Sequence, residues 1–217
     1  FVMCSKVNLQ HLIAICRDAM GSNKHGRRLP DEKPETRQAA AAYADHPAGP
    51  WRIHPPGSLH LAQSGFLTEP PDVSAADLAR FEARYRARGA AISHDVLSEI
   101  TTPHIASPDV HIDADRQRIV MYFHGLEGVG DQVSRVALST NGIDFVARPE
   151  VIGRSYMRIF PHDGMTYALT MPGVLSRSAD GLSGFQPGPT LFNPNMRHAA
   201  VLKRDDAFVS FDRFGDV

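Results

Sequence analysis

Most of the residues able to do chemistry in this chain lie in or around the segment HIASPDVHID (104–113), within the strands expected to follow it. Asp109 and Glu127 are carboxyls of the kind that act as general acid or base. His104 and His124 can exchange hydrogen bonds with a hydroxyl or ligate a metal. Arg158 and Arg197 carry planar forks suited to clamping a carboxylate-bearing or hydroxyl-rich ligand, with His198 beside the second and Tyr156 offering a ring to stack on. Each has a plainer alternative. An Asp at a strand start bonds backbone amides, an inner-strand Arg satisfies buried carbonyls, and a lone His or Tyr packs. Glu127, in HGLEGVGDQ, is expected in a loop after the second strand, free to swing over a site.

Composition narrows the partners. The 217 residues carry 23 Lys and Arg against 24 Asp and Glu, a balance that leaves no basic footprint for nucleic acid or an anionic membrane. A carbohydrate or other small polar ligand fits better. No apolar run approaches a membrane span, and the first residues lack the pattern of an export signal, so the cytoplasm is the default compartment. Cys4 and Cys16 show no paired spacing. No cofactor is expected, and a channel calcium finds no support.

The elements that must hold these residues fall into two textures. VNLQHLIAICRDAM (7–20) has Leu9, Leu12, Ile13 and Cys16 on one helical face with Gly21 as a stop, which predicts a short helix; the polar, Pro-broken stretch after it reads as a linker, so residues 1–41 stand apart. A second helical island is expected within 74–99, capped by Ser74, with Asp77 in its first turn and Leu78, Phe81 and Tyr85 as its stripe. From Pro103 onward the chain reads as short alternating strands separated by Asn141-Gly142, Asp163-Gly164 and Asp180-Gly181, an antiparallel all-β pattern in which Met121 and Phe123 fill core positions.

The strands also recur. LSTNGIDF (138–145) and RSADGLSGF (177–185) share Ser, one residue, Asn or Asp, Gly and then an aromatic, with AYADHPAGPW (42–51) a looser copy. The period is roughly 40 to 47 residues, that of four-stranded propeller blades. In a propeller the first strand of each blade lines the channel and its head faces the mouth, which explains why HIASPDVHID opens with polar residues. The same register sets Arg154, Ser155, Tyr156 and Arg158 at the next blade's entrance, and Asn195, Arg197 and His198 at the one after.

SPDVHID followed by RIVMYFHG, the blade ends just quoted, and RHAAVL followed by FVSFDRFGD resemble the five-bladed β-propeller glycoside hydrolases of the family 43 and family 32 clan. The resemblance covers residues 42–217, with 69–102 as a helical insertion, and amounts to about three blades of a partial propeller. It implies a site at the channel mouth and hydrolysis by two carboxyls flanking the glycosidic bond. Asp109 sits on a matching motif. The family's base, in an Asp-Pro pair of the first inner strand, has no counterpart before Ala42, and the strand matched to its Glu-Gly-Pro acid reads GRSYMRIF, without an acid. Two other functions therefore stand beside hydrolysis: sugar binding without turnover, and a propeller serving as a protein-interaction platform.

Overall fold

The computed structural model describes residues 12–17, 38–44, 46, 48–54, 57–87, 96–191, 196–204 and 207–214. Four antiparallel sheets follow one another along the chain, with two helices between the first and second. The first sheet contains β1 (Leu12–Arg17), β2 (Gln38–Ala44), β3 (Arg52–Ile53) and β4 (Leu59–His60), with β2 pairing all three others. The second runs β5 (Ile105–Asp113), β6 (Arg118–Gly128), β7 (Asp131–Ser139) and β8 (Val146–Ala147), with β9 (Gly153–Arg154) also on β7. The third runs in order β10 (Arg158–His162), β11 (Met165–Thr170), β12 (Val174–Ser178) and β13 (Gln186–Thr190), and the fourth pairs β14 (Met196–Arg204) with β15 (Ala207–Phe214).

Of the helix expected over 7–20, the described part, Leu12–Arg17, is instead a strand, paired with β2 from Leu12 opposite Ala44 to Arg17 opposite Ala39. LIAIC is apolar at every position, so it satisfies a helical stripe and a strand buried on both faces equally, and tertiary pairing decides. The expected linker after it lies outside the described residues.

Strand β6 shows why the sheets stack. Ile119, Met121 and Phe123 enter a core shared with Ala39, Ala41, Leu59, Leu61 and Phe66 of the first sheet and its exit. Val120 and Tyr122 point the other way, into a core shared with Ile152, Met157, Ile159, Ala168 and Leu182. A strand buried on both faces needs apolar residues at odd and even positions alike, and each large side chain so buried contributes roughly 1.5–3 kcal/mol. Leu169, Met196 and Ala199 repeat the arrangement between the third and fourth sheets.

The recurrent turns are closed by the same bonds to backbone amides. Ser139 Oγ accepts the Gly142 N–H (2.9 Å), and Asn141 Oδ1 accepts those of Ile143 and Asp144 (both 2.9 Å). Ser178 Oγ likewise accepts the Gly181 N–H (3.1 Å), and Asp180 Oδ1 those of Leu182 (2.8 Å) and Ser183 (2.9 Å). Gly181 has φ +70°, and a Cβ there would meet Thr166 and the Tyr122 hydroxyl, so the residue type is forced twice over.

The helical island is present as α1 (Ala75–Ala87) and α2 (Val96–Thr101). Ser74 caps α1 reciprocally: its Oγ accepts the Asp77 N–H (3.1 Å) while Asp77 Oδ2 accepts the Ser74 N–H (3.3 Å) and hydroxyl (2.7 Å). The Ser74 hydroxyl, followed by its N–H, holds the Asp77 carboxyl below its ordinary pKa. Phe81, Val96 and Ile100 form a small core with Val73, Leu78 and Val129, which brings the pair against the β6–β7 hairpin.

Candidate functional site

Strand direction brings the candidate residues to one end. The head of β5, the tail of β6 and the head of β10 lie together, because β5 and β6 are antiparallel, Arg158 at the head of β10 donates to the Ser107 carbonyl near the head of β5, and Asp109 at the middle of β5 reaches across to Ile159. His104 immediately precedes β5, His124 stands on β6 opposite Ala106, and Tyr156 precedes β10. Their rings form a chain. The His104 and His124 centroids are 5.7 Å apart, edge to face, and those of His124 and Tyr156 are 4.5 Å apart. His104 Nδ1 donates to the Thr102 carbonyl at 2.8 Å. His124 is 2% exposed and Tyr156 is buried beside it.

Both strand heads are distorted. Ser107 and Pro108 together oppose Phe123, a bulge at which Ser107 takes φ +50°. Proline has no N–H for the ladder, so the irregularity falls where pairing would fail anyway. Tyr156 has φ +58°. A non-glycine residue held in the left-handed region costs about 1 kcal/mol or more, and such positions concentrate at ligand sites.

Asp109 and Arg158 join these two heads. Asp109, with 14% of its side chain exposed, accepts the Ile159 N–H on Oδ2 at 2.7 Å. The same oxygen lies 3.2 Å from His111 Nε2, without hydrogen-bond alignment, since that nitrogen makes no hydrogen bond. One nitrogen of Arg158 donates to the Ser107 carbonyl (3.2 Å) and to that of Met157 (3.1 Å). Tyr122, paired with Asp109 across β5 and β6, donates its hydroxyl to the Gly181 carbonyl at 2.8 Å. Burial, and then the Asp109 charge, push the Tyr122 phenol far above its ordinary pKa, so it stays a neutral donor.

Glu127 departs from expectation. It lies within β6 rather than in a loop, because the ladder runs on to Gly128 opposite Asp131. Its carboxylate accepts from Arg135 of β7 at 2.7 Å; the Arg135 side chain is 6% exposed and that of Glu127 38%. The guanidinium also lies 5.1 Å from the centre of the Phe66 ring, and its Nε is buried without a partner. Sequence reasoning missed Arg135, although a single Arg amid the apolar residues of QVSRVALS was the available signal.

Arg197 lies on β14 opposite Arg213, with a register shift between it and Ala200. The side chains of Arg197 and His198, and the whole of Asn195, lie outside the described residues. Among the described residues, no three His, Cys, Asp or Glu side chains gather as a metal site would need.

No protein-family model matches the chain. An uncharacterized protein of Acanthamoeba polyphaga mimivirus is 30% identical over 194 residues, covering 81% of this chain and 48% of that protein. The exo-β-1,3-galactanase of Phanerochaete chrysosporium, in a structure with galactose, matches 99% of this chain with a TM-score of 0.58 at 11% identity. The exo-β-1,3-galactanase of Clostridium thermocellum matches 99% with a TM-score of 0.58 at 12% identity. The chain spans 43% and 42% of those two chains, so it corresponds to less than half of each relative. At such identities the likeness speaks to architecture: the chain has a fold like that of the family 43 glycoside hydrolase propellers.

Proposed function

We propose that this chain is part of a carbohydrate-active β-propeller, spanning at least residues 42–217, that binds a glycoside at the end where β5, β6 and β10 converge. The observation that carries this reading is the contiguous ring chain His104–His124–Tyr156 at two distorted strand heads. Imidazole and guanidinium nitrogens suit a ring of hydroxyls: half-buried His104, backed by the buried rings of His124 and Tyr156, and half-buried Arg158 can exchange hydrogen bonds with it. Arg158 borders the site, and β14, the strand that carries Arg197 and His198, packs against β10. The galactanase structures, one with galactose and one with β-1,3-galactotriose, make galactosides the first ligands to try.

In this reading Asp109 holds β10 in place, and Glu127 is a carboxylate at that end with solvent access. A second reading, hydrolysis, draws on that access: Glu127 would deprotonate a water while another carboxyl protonates the leaving oxygen.

Calorimetric titration with galactose and β-1,3-galactotriose tests the proposal, together with assay of released reducing sugar. Binding that is lost in His104→Ala is the expected result. Absence of binding to any sugar tried, or binding unchanged in a folded His104→Ala variant, would overturn it.

A further inference from the structure

The first and second sheets are joined by a detour that the second and third do not share. His60 of β4 and Ile105 of β5 are separated by a long segment containing α1 and α2, whereas Arg154 of β9 is followed directly by the head of β10 at Arg158. This insertion is fastened to the β6–β7 hairpin tip. The Gly130 N–H donates to the Ile100 carbonyl at 2.8 Å, and the Phe81 ring occupies the place a Cβ on Gly130 would take. From α2 the chain passes through Thr102 and the fully buried Pro103 straight into His104. The Thr102 carbonyl therefore has little freedom, and it receives a hydrogen bond from His104 Nδ1 at 2.8 Å.

A carbonyl oxygen only accepts, so the proton of that bond must sit on Nδ1. In the neutral ring Nε2 is then the acceptor nitrogen. A freely moving imidazole would populate both tautomers.

We propose that the α1–α2 insertion is a positioning device for the sugar site: by fixing the Thr102 carbonyl it holds His104 as the Nδ1–H tautomer and makes Nε2 the acceptor for a ligand hydroxyl. Thr102 and Phe81 are thus positioning residues acting through His104. The inference rests on the sugar-binding reading above.

Nitrogen-15 spectra of the imidazoles, with the His104 signal assigned by its loss in His104→Gln, read the tautomer directly. Titration of wild type, Phe81→Ala and His104→Ala with β-1,3-galactotriose reads its use. The expected result is Nδ1–H in wild type, a mixed tautomer in Phe81→Ala, and affinity lowered about tenfold in that variant, the worth of one hydrogen bond. If Phe81→Ala does not fold, Phe81→Leu, which vacates the ring's place against Gly130, takes its part. An Nε2–H tautomer in wild type, or full affinity in the Phe81 variant while His104→Ala binds weakly, overturns the positioning role and leaves the sugar site standing. Full affinity in folded His104→Ala overturns both.

Discussion

Asp109 on β5 accepts the backbone N–H of Ile159 on β10 at 2.7 Å, so two sheets are tied together through a carboxylate whose sequence setting suggests chemistry. Removing it should be felt first in stability. Asp109→Ala is expected to lose about 2 kcal/mol, the range for a hydrogen bond to a charged group, while Asp109→Asn keeps an acceptor and loses less than about 1 kcal/mol. Urea denaturation gives both values, and sugar titration of Asp109→Asn should match wild type. A folded Asp109→Asn that abolished glycoside turnover would instead place this carboxyl in the reaction.

The Arg135–Glu127 pair puts a buried cation against a partly exposed anion. Glu127→Ala leaves the guanidinium without its counter-charge, for an expected loss of about 2 kcal/mol after allowance for solvent around the carboxylate. The double variant Glu127→Ala with Arg135→Met should recover most of that loss, and a double-mutant cycle in urea measures the coupling. Additive losses would show that the two residues act separately.

Acid should loosen the third sheet through Asp180. Burial alone would raise this carboxyl's pKa, but the Leu182 and Ser183 amides, with the Ser183 and Ser178 hydroxyls, outweigh it and lower it from 3.8 to about 2. A folded value below the unfolded one gives stability that is present above about pH 4 and is lost as pH falls toward 2. Asn141 closes the equivalent turn with a neutral amide, so Asp180→Asn should keep the turn and flatten that acid limb. Melting temperatures between pH 5 and 2 would show the difference, and parallel curves for the two proteins would refute it.

Gly125 is where backbone and ring come too close for a side chain. A Cβ there would overlap the Phe66 ring and the His104 carbonyl, so Gly125→Ala is expected to cost about 3 kcal/mol, the upper range of overpacking, or to prevent folding. Gly184→Ala, at φ +59° with open space around it, should cost about 1 kcal/mol. Thermal or urea unfolding of the two variants would compare them, and equal losses would count against the packing described here.

These positions also show what the sequence made legible. The Ser139 and Ser178 turns were readable because their chemistry is local: a hydroxyl, an amide or carboxyl two residues on, and a glycine suffice to close them. Strand β1 was not, because an unbroken apolar run is compatible with both periodicities and only its pairing with β2 separates them. Register pointed to His104 and Tyr156 and residue type to His124, and the structure places the three rings in contact. The bond from Asp109 to Ile159 and the burial of Arg135 depend on how one sheet lies on the next, which no local pattern encodes.

Strand β13 closes the outer edge of the third sheet with QPGPT, exposed along its whole length, and its pairing with β12 is interrupted by a register shift. Pro187 and Pro189 carry no N–H, and the irregularity twists the edge away from flatness. A second molecule approaching this flank would find too few donors in line to extend the sheet, which guards a protein rich in strands against lateral fibre growth.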